Sequence, residues 1–221
     1  MKKRKKASRR KSVKMAVALA AMVILFAGIC MLPKIKRIPG KVMRKIETQT
    51  YKEPSREELL EYCESKGFNT DYYILVDFTK KSSEKRFTVR RFSDGSVVFS
   101  SLCAHGDGKP STTSKPHFSN RPGSCCTSLG RFRIGKVVTT SQGWTALKLY
   151  GLGWTNFNAS RRGILVHGSK TVSRNPKGKL LPLGKKVSEG CFTISHEAFA
   201  SLKKLAKDNP DIVICAFSEK S

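Results

Sequence analysis

Eighteen consecutive residues without a charge, Met15 to Leu32 ("MAVALAAMVILFAGICML"), end at Pro33 and come after a tail in which nine of the first fourteen residues are Lys or Arg. At about 1.5 Å per residue, such a run is just long enough to cross a bilayer core of roughly 30 Å. It divides the chain, because a basic flank before an apolar stretch reads as a membrane anchor or as a secretory signal, and in either case the remainder of the chain is exported. Bulky Ile29 and Met31 stand where a signal peptidase needs small side chains, and Ile29 also spoils the loosely lipoprotein-like Ala27-Gly28-Ile29-Cys30. An uncleaved anchor is therefore favoured over a cleaved signal, with a buried core helix as the plain third reading. The basic tail places the N-terminus in the cytoplasm and the rest of the chain outside, at the periplasmic or extracytoplasmic side.

The chain then divides into a cytoplasmic tail (1–14), a transmembrane anchor or signal peptide (15–33), a basic connector (34–54) and one domain (55–221). That domain is long enough for a full hydrophobic core and too short for two large ones. From residue 49 onward the chain holds 28 basic against 15 acidic side chains, a surplus of 13. Outside the cytoplasm a positive field of this size suits acidic wall polymers, lipopolysaccharide or anionic headgroups. No nucleic-acid motif is present, and nucleic acid is not an expected partner.

Seven cysteines is an odd number, and one of them, Cys30, lies in the apolar run. Disulfides are permitted in an exported chain but a domain of this size does not need them. Adjacent Cys125 and Cys126 are awkward partners for each other. No Cys-x-x-Cys pair occurs, so neither a structural zinc nor another metal or cofactor is expected.

Along the domain, "SREELLEYCESKG" opens with the capping-box pair Ser55 and Glu58 and closes on Gly67, which predicts a short helix burying Leu59, Leu60, Tyr62 and Cys63. The texture then turns to β. "YYILVDFT", "RFTVRRF" and "SVVFSSLCAHG", with an Asp94-Gly95 turn, predict an antiparallel meander. A long Gly/Ser/Pro-rich loop spans Gly106 to Gly130. Strands resume in "RFRIGKVVTT", "TALKLYGL" and "GILVHG"; a helix capped by Ser195 comes next ("HEAFASLKKLAK"), and "DIVICAF" closes the domain. Many short strands with one or two short helices predict a mainly β sandwich or barrel.

Two glycine-tagged elements carry the chemistry, "GILVHGS" around His167 and "VSEGCFTI" around Cys191. A free thiol with a pKa near 8.5 is only a few per cent thiolate at neutral pH, and an imidazole that takes its proton raises its nucleophilicity. Gly168 leaves the backbone open beside His167. Gly190 frees the backbone before Cys191, so that consecutive amides can face a developing oxyanion. The plain alternative is a core thiol and a surface histidine in a non-catalytic, basic wall-binding domain. Of the other histidines, His105 either lines the cleft or is structural, His117 reads as surface, and His196 as a solvent-facing first-turn residue.

The His-Gly element and, beyond it, Ser188-Glu189-Gly190-Cys191 together resemble the signature of the L,D-transpeptidase catalytic domain, the YkuD-like family. The chain is similar in particular to the murein L,D-transpeptidase branch, through "AHGDG" (Ala104–Gly108), "FSN" (Phe118–Asn120), "TSLGRF" (Thr127–Phe132), "LKLYGL" (Leu147–Leu152) and "NFNASRRGILVHG" (Asn156–Gly168). The resemblance runs from about Asp71 to Phe217. It implies an L,D-transpeptidase-like β-rich fold, a Cys191 nucleophile, a His167 base, and an oxyanion site near the Gly190 and Cys191 amides, with Ser188 supporting the loop or the substrate. Where many members carry His and Arg around the cysteine, this sequence has Glu189 and Thr193, which bears on substrate handling. The implied activity is transfer of a peptidoglycan stem peptide, through a thioester, to an amine. With water as acceptor the same site is an L,D-carboxypeptidase or an amidase.

Overall fold

The computed structural model describes residues 50–219; the basic tail and apolar run read from the sequence lie outside them. Among the described residues no helix is long and apolar enough to cross a membrane.

The first helix, α1 (Arg56–Lys66), forms where its end signals place it. Ser55 Oγ accepts the Glu58 amide at 3.1 Å while the Glu58 carboxylate accepts the Ser55 amide at 3.0 Å, so two otherwise orphaned donors are satisfied reciprocally. Gly67 stops the helix in the left-handed region at φ 65°, and the Phe68 amide turns back to Cys63 O at 2.9 Å. The helix buries Leu59 and Cys63 completely, while Leu60 and Tyr62 are only partly covered.

Strands β1 (Tyr72–Asp77), β2 (Phe87–Arg91) and β3 (Val97–Ser101) form the expected antiparallel meander, with Ile74 opposite Val89 and Thr88 opposite Ser100. The two-residue β4 (Cys103–Ala104) comes after them, then the long loop. Next come β5 (Gly130–Thr139), β6 (Thr145–Gly151), β7 (Leu165–Gly168), the single-turn α2 (Lys170–Ser173), β8 (Phe192–Ile194), α3 (His196–Asp208) and β9 (Val213–Phe217). The sheet is not purely antiparallel. β9 pairs parallel to β1 and β8 pairs parallel to β7, and the connection from β7 to β8, residues 169–191 with α2, is the crossover that a parallel pair requires. The described residues thus hold three helices where one or two were expected, because Ser169 caps the extra turn at Thr171.

All nine strands belong to one sheet in the order β3-β2-β1-β9-β5-β6-β7-β8-β4. Its two edge strands are neighbours in sequence, separated only by Leu102, so the sheet must curl until its edges approach. The Ser195 amide, just past β8, reaches Ser101 Oγ at the end of β3 over 3.2 Å and ties the edges together. The product is barrel-like, in keeping with the mainly β expectation.

Inside the curl, Phe192 is fully buried, edge-on to Phe132 with ring centroids 5.3 Å apart and stacked on Phe78 at 6.2 Å. Aromatic pairs of this kind contribute about 0.5–1.5 kcal/mol beyond the area they bury. β9 is buried on both faces: Ile214 and Ala216 join this core, while Val213 and Cys215 pack under α1 with Leu59 and Cys63. Pairing also reaches back before α1, since Tyr51 O accepts the Ser218 amide at 3.0 Å and the Glu53 amide donates to Glu219 O at 2.9 Å.

Candidate active site

The parallel register of β7 and β8 sets Val166 against Phe192 and His167 against Thr193. Val166 and Phe192 both enter the core, so alternation turns His167 and Thr193 to the opposite face. Cys191, immediately before β8, opens on that same side. Both Cys191 and His167 line a cleft of about 790 Å³, with Trp144, Arg162, Gly163 and Lys186 among its walls.

The loop before the cysteine is built by Ser188. Its hydroxyl donates to Cys191 O at 2.8 Å and accepts the Gly190 amide at 3.2 Å, closing a tight turn around the intervening residues. Ser188 is buried. Gly190 takes φ 116°, and a Cβ there would lie 2.7 Å from Cys126 O and 2.9 Å from Ile164 Cδ1. Only glycine fits both the conformation and the space. The Gly190 amide, one of the two expected to face an oxyanion, is engaged by Ser188 Oγ.

From behind, "AHGDG" buttresses this loop. The Asp107 amide donates to Ser188 O at 3.1 Å, and Gly106 lies so close that a Cβ on it would meet Gly190 Cα at 2.8 Å. His105 is not at the cleft; it is buried, with Nδ1 3.0 Å from Arg86 Nη2 and Nε2 2.9 Å from Thr112 O. A carbonyl only accepts and a guanidinium only donates, so Nε2 carries the proton and the ring is neutral. Burial, then the Arg86 charge, push its pKa down to about 4. Of the two readings for His105, the structural one describes its place.

Gly168 lines the cleft, but its lack of a side chain serves packing: a Cβ would meet His196 Nδ1 at 2.8 Å and Phe199 Cβ at 3.2 Å. It admits the first turn of α3 against β7. His196 is exposed, as read from the sequence, and stands at the cleft wall. Glu189 is exposed, 3.7 Å from Lys185 Nζ and 3.9 Å from Cys125 Sγ. His117 is half-buried.

Burial pushes the Cys191 thiol up to about 11, against a backbone hydrogen bond from Leu165 and the nearby Arg162 charge, which both favour the thiolate. Burial also lowers His167 below the usual imidazole range, and neighbouring His196 acts in the same direction. The site at neutral pH therefore holds a neutral thiol and a neutral imidazole. Cys191 Sγ faces Gly163 O at 3.7 Å, while His167 engages Gly168 O through Nδ1 at 3.2 Å and Thr193 Oγ1 through Nε2 at 3.1 Å. Thiol and imidazole share the cleft without a hydrogen bond between them. Trp144 covers the imidazole, with ring centroids 4.5 Å apart.

Three contributors were not singled out as site residues by sequence reasoning. Arg162 reaches Ser119 O at 2.7 Å, Ser128 Oγ at 2.6 Å, Ser124 Oγ and Cys126 O, and so pins the long loop through the same carbonyl that Gly190 leans on. Its signal was the doubled arginine ahead of the His167 strand. Trp144 comes from the β5–β6 turn, where a large aromatic among polar residues was the only hint. Thr193, visible only as a departure from the family pattern, is a direct partner of the imidazole. Among the described residues no group of three or more His, Cys, Asp or Glu side chains is placed to hold a metal ion.

A family model described as the L,D-transpeptidase catalytic domain matches residues 43–215. No curated protein matches the sequence. Among solved structures, the chain is similar to the L,D-transpeptidase of Xylanimonas cellulosilytica at 16% identity, over 71% of this chain and 68% of that one, with a TM-score of 0.40. For the L,D-transpeptidase of Stackebrandtia nassauensis the identity is 15%, the coverage 68% and 57%, and the TM-score 0.39. For L,D-transpeptidase 1 of Mycobacterium tuberculosis the values are 17%, 67% and 62%, and 0.36. The chain spans 57% to 68% of the length of these three solved chains.

Proposed function

Because the chain belongs to the L,D-transpeptidase catalytic-domain family, we propose that it is a peptidoglycan L,D-transpeptidase in which Cys191 is the nucleophile and His167 the general base. The observation that carries this reading is the placing of both side chains on one face of the β7–β8 pair, at one cleft.

With both groups neutral at rest, proton transfer accompanies attack. Sγ bonds to the carbonyl carbon between an L-centre and a D-residue as His167 Nε2 takes the thiol proton, and the carbonyl oxygen becomes an oxyanion facing Cys191 N–H. When the tetrahedral adduct collapses, the C–N bond breaks and the imidazolium returns its proton to the departing D-amino acid. A thioester remains. The amine of a second stem peptide attacks it, His167 accepts the amine proton, and Cys191 leaves and is reprotonated. Lys170, Lys185 and Lys186 on the cleft walls supply positive charge for the stem-peptide carboxylates. The same proposal places the domain on the outer face of the membrane, held there by residues 15–33.

The test is incubation of the full chain with purified muropeptides and mass analysis of the products, with Cys191→Ala and His167→Ala as controls. A cross-linked dimer that both substitutions abolish is the expected result. A shortened monomer assigns the enzyme to hydrolysis, and unchanged substrate with no acyl adduct on Cys191 overturns the catalytic reading.

A further inference from the structure

The segment between β6 and β7 presents two aromatic rings to water. Trp154 is 75% exposed and Phe157 49%, with ring centroids 6.1 Å apart and planes at 76°. The backbone beneath them is tightly held. Asn120 donates its side-chain amide to Trp154 O at 3.2 Å and accepts the Asn158 amide at 3.1 Å. Asn156, fully buried, accepts the Gly153 amide at 2.9 Å and donates to Arg131 O at 2.7 Å. The platform is therefore preorganised, and a ligand meeting it need not order the loop.

Its size narrows the choice of partner. The exposed area of the two rings is on the order of 300 Å², well below the roughly 800 Å² per partner of a stable protein interface. The exposed Arg161 lies in the same segment, while Thr155 Oγ1 sits over Gly130 and Asn158 Nδ2 donates to Asn120 O, so the broad apolar face that an interfacial membrane anchor needs is absent here. Two exposed aromatic rings in a segment that also exposes the Arg161 guanidinium complement a pyranose, whose C–H face stacks on a ring while its hydroxyls accept from the cation. The same segment ends in Arg162 and Gly163 at the catalytic cleft, and Arg162 holds Ser119 O next to Asn120, so platform and cleft are joined by one hydrogen-bonded unit.

We propose that Trp154 and Phe157 form a stacking platform for sugar rings of the glycan strand, beside the cleft that takes the stem peptide; this rests on the peptidoglycan reading above. It gives the enzyme a hold on the polymer that is separate from its hold on the peptide.

The experiment measures co-sedimentation of the full chain with glycan strands stripped of stem peptides by an amidase. Acylation of Cys191 by a β-lactam of the carbapenem class is followed in parallel. Wild type binds the stripped glycan, Trp154→Ala weakens binding about tenfold, Phe157→Ala weakens it several-fold, Trp154→Tyr retains most of it, and Cys191 acylation is unchanged in all three. The inference is overturned if wild type fails to bind while Cys191 still acylates, or if binding is indifferent to Trp154→Ala. It is equally overturned if Trp154→Ala weakens sedimentation with phosphatidylglycerol–phosphatidylethanolamine vesicles and leaves glycan binding intact. Glycan binding without any Cys191 acylation would sink the catalytic reading and leave the platform standing.

Discussion

Thr193 stands across the parallel β7–β8 ladder from His167, its hydroxyl oxygen 3.1 Å from the imidazole Nε2 and 3.1 Å from Val187 O. Because Nδ1 faces the Gly168 carbonyl, it carries the proton of the neutral ring and leaves a lone pair on Nε2. The hydroxyl then donates to Nε2 or to Val187 O. Once Nε2 takes a proton the direction fixes itself: Nε2–H donates to Thr193 Oγ and the hydroxyl donates to Val187 O. Thr193 is thus a positioning residue that serves both protonation states. Thr193→Val removes a hydrogen bond to a charged ring, worth roughly 1.5–3 kcal/mol, and is expected to slow Cys191 acylation at least tenfold while moving the acid limb of its pH profile to lower pH, because the imidazolium loses a partner. Thr193→Ser restores both. An unchanged profile in the valine variant would show that the contact is only packing.

Gly190→Ala and Gly106→Ala test the fit behind Cys191. The first forces a Cβ to 2.7 Å from Cys126 O at φ 116°, and the second drives one into the Cys125 carbonyl oxygen. Backbone contacts this close must move, at a cost of at least about 1–3 kcal/mol. Both variants are expected to lose Cys191 acylation by more than a hundredfold, a larger effect than their lowered melting temperatures explain, as read by adduct mass against thermal unfolding.

Stability should peak between about pH 6.5 and pH 9. The His105 pKa is depressed to about 4, so between 6.5 and 4 the unfolded chain binds the proton and the folded one does not; stability falls as pH falls through that window. Burial raises Cys63 and Cys191 to about 11 and Cys103 and Cys215 to about 12. Between 9 and these values the folded chain keeps protons that the unfolded chain has lost, and stability falls as pH rises. Thermal melts from pH 4 to pH 12 should show both limbs. His105→Gln should flatten the acid one.

Arg162→Lys is expected to loosen the long loop, because an ammonium cannot reproduce a fork that serves acceptors on residues 119, 124, 126 and 128. Limited proteolysis within residues 106–129 should quicken markedly, with a fall in acylation rate that tracks the loosened Cys126 carbonyl beneath Gly190.

Phe192→Ala removes the side chain around which Phe78 and Phe132 pack, and should destabilise the fold by about 3–5 kcal/mol. Chemical denaturation of the variant gives the measure.

Local signals carried most of the fold. The ends of α1 were legible because the capping box and Gly67 act within a few residues, and the meander because alternation and an Asp94-Gly95 turn are both short-range. β8 was missed since three residues are too few to show a period, and its existence depends on β7 and β4 lying to either side. The parallel pairings were missed for the same reason: nothing in "DIVICAF" says that β1 will be its neighbour. At the site, Cys191, Gly190 and His167 were marked by motif and residue type, whereas Arg162 and Thr193 act through partners distant in sequence. His105 sat inside a quoted motif, yet its place behind the loop depends on Arg86, which no local pattern connects to it.

The single-residue link between β3 and β4 has a bearing on how the site comes into being. β4 can pair only with β8, some 90 residues later in the chain, and the strand that Cys191 introduces is flanked by one neighbour from each half of the domain. Pairings of such long sequence separation form late, after the entropy of closing the intervening loop has been met. Cys191 is therefore set beside His167 only in a chain that has closed on itself. Fragments, nascent chains and partly folded intermediates carry the cysteine but not the cleft it shares with His167.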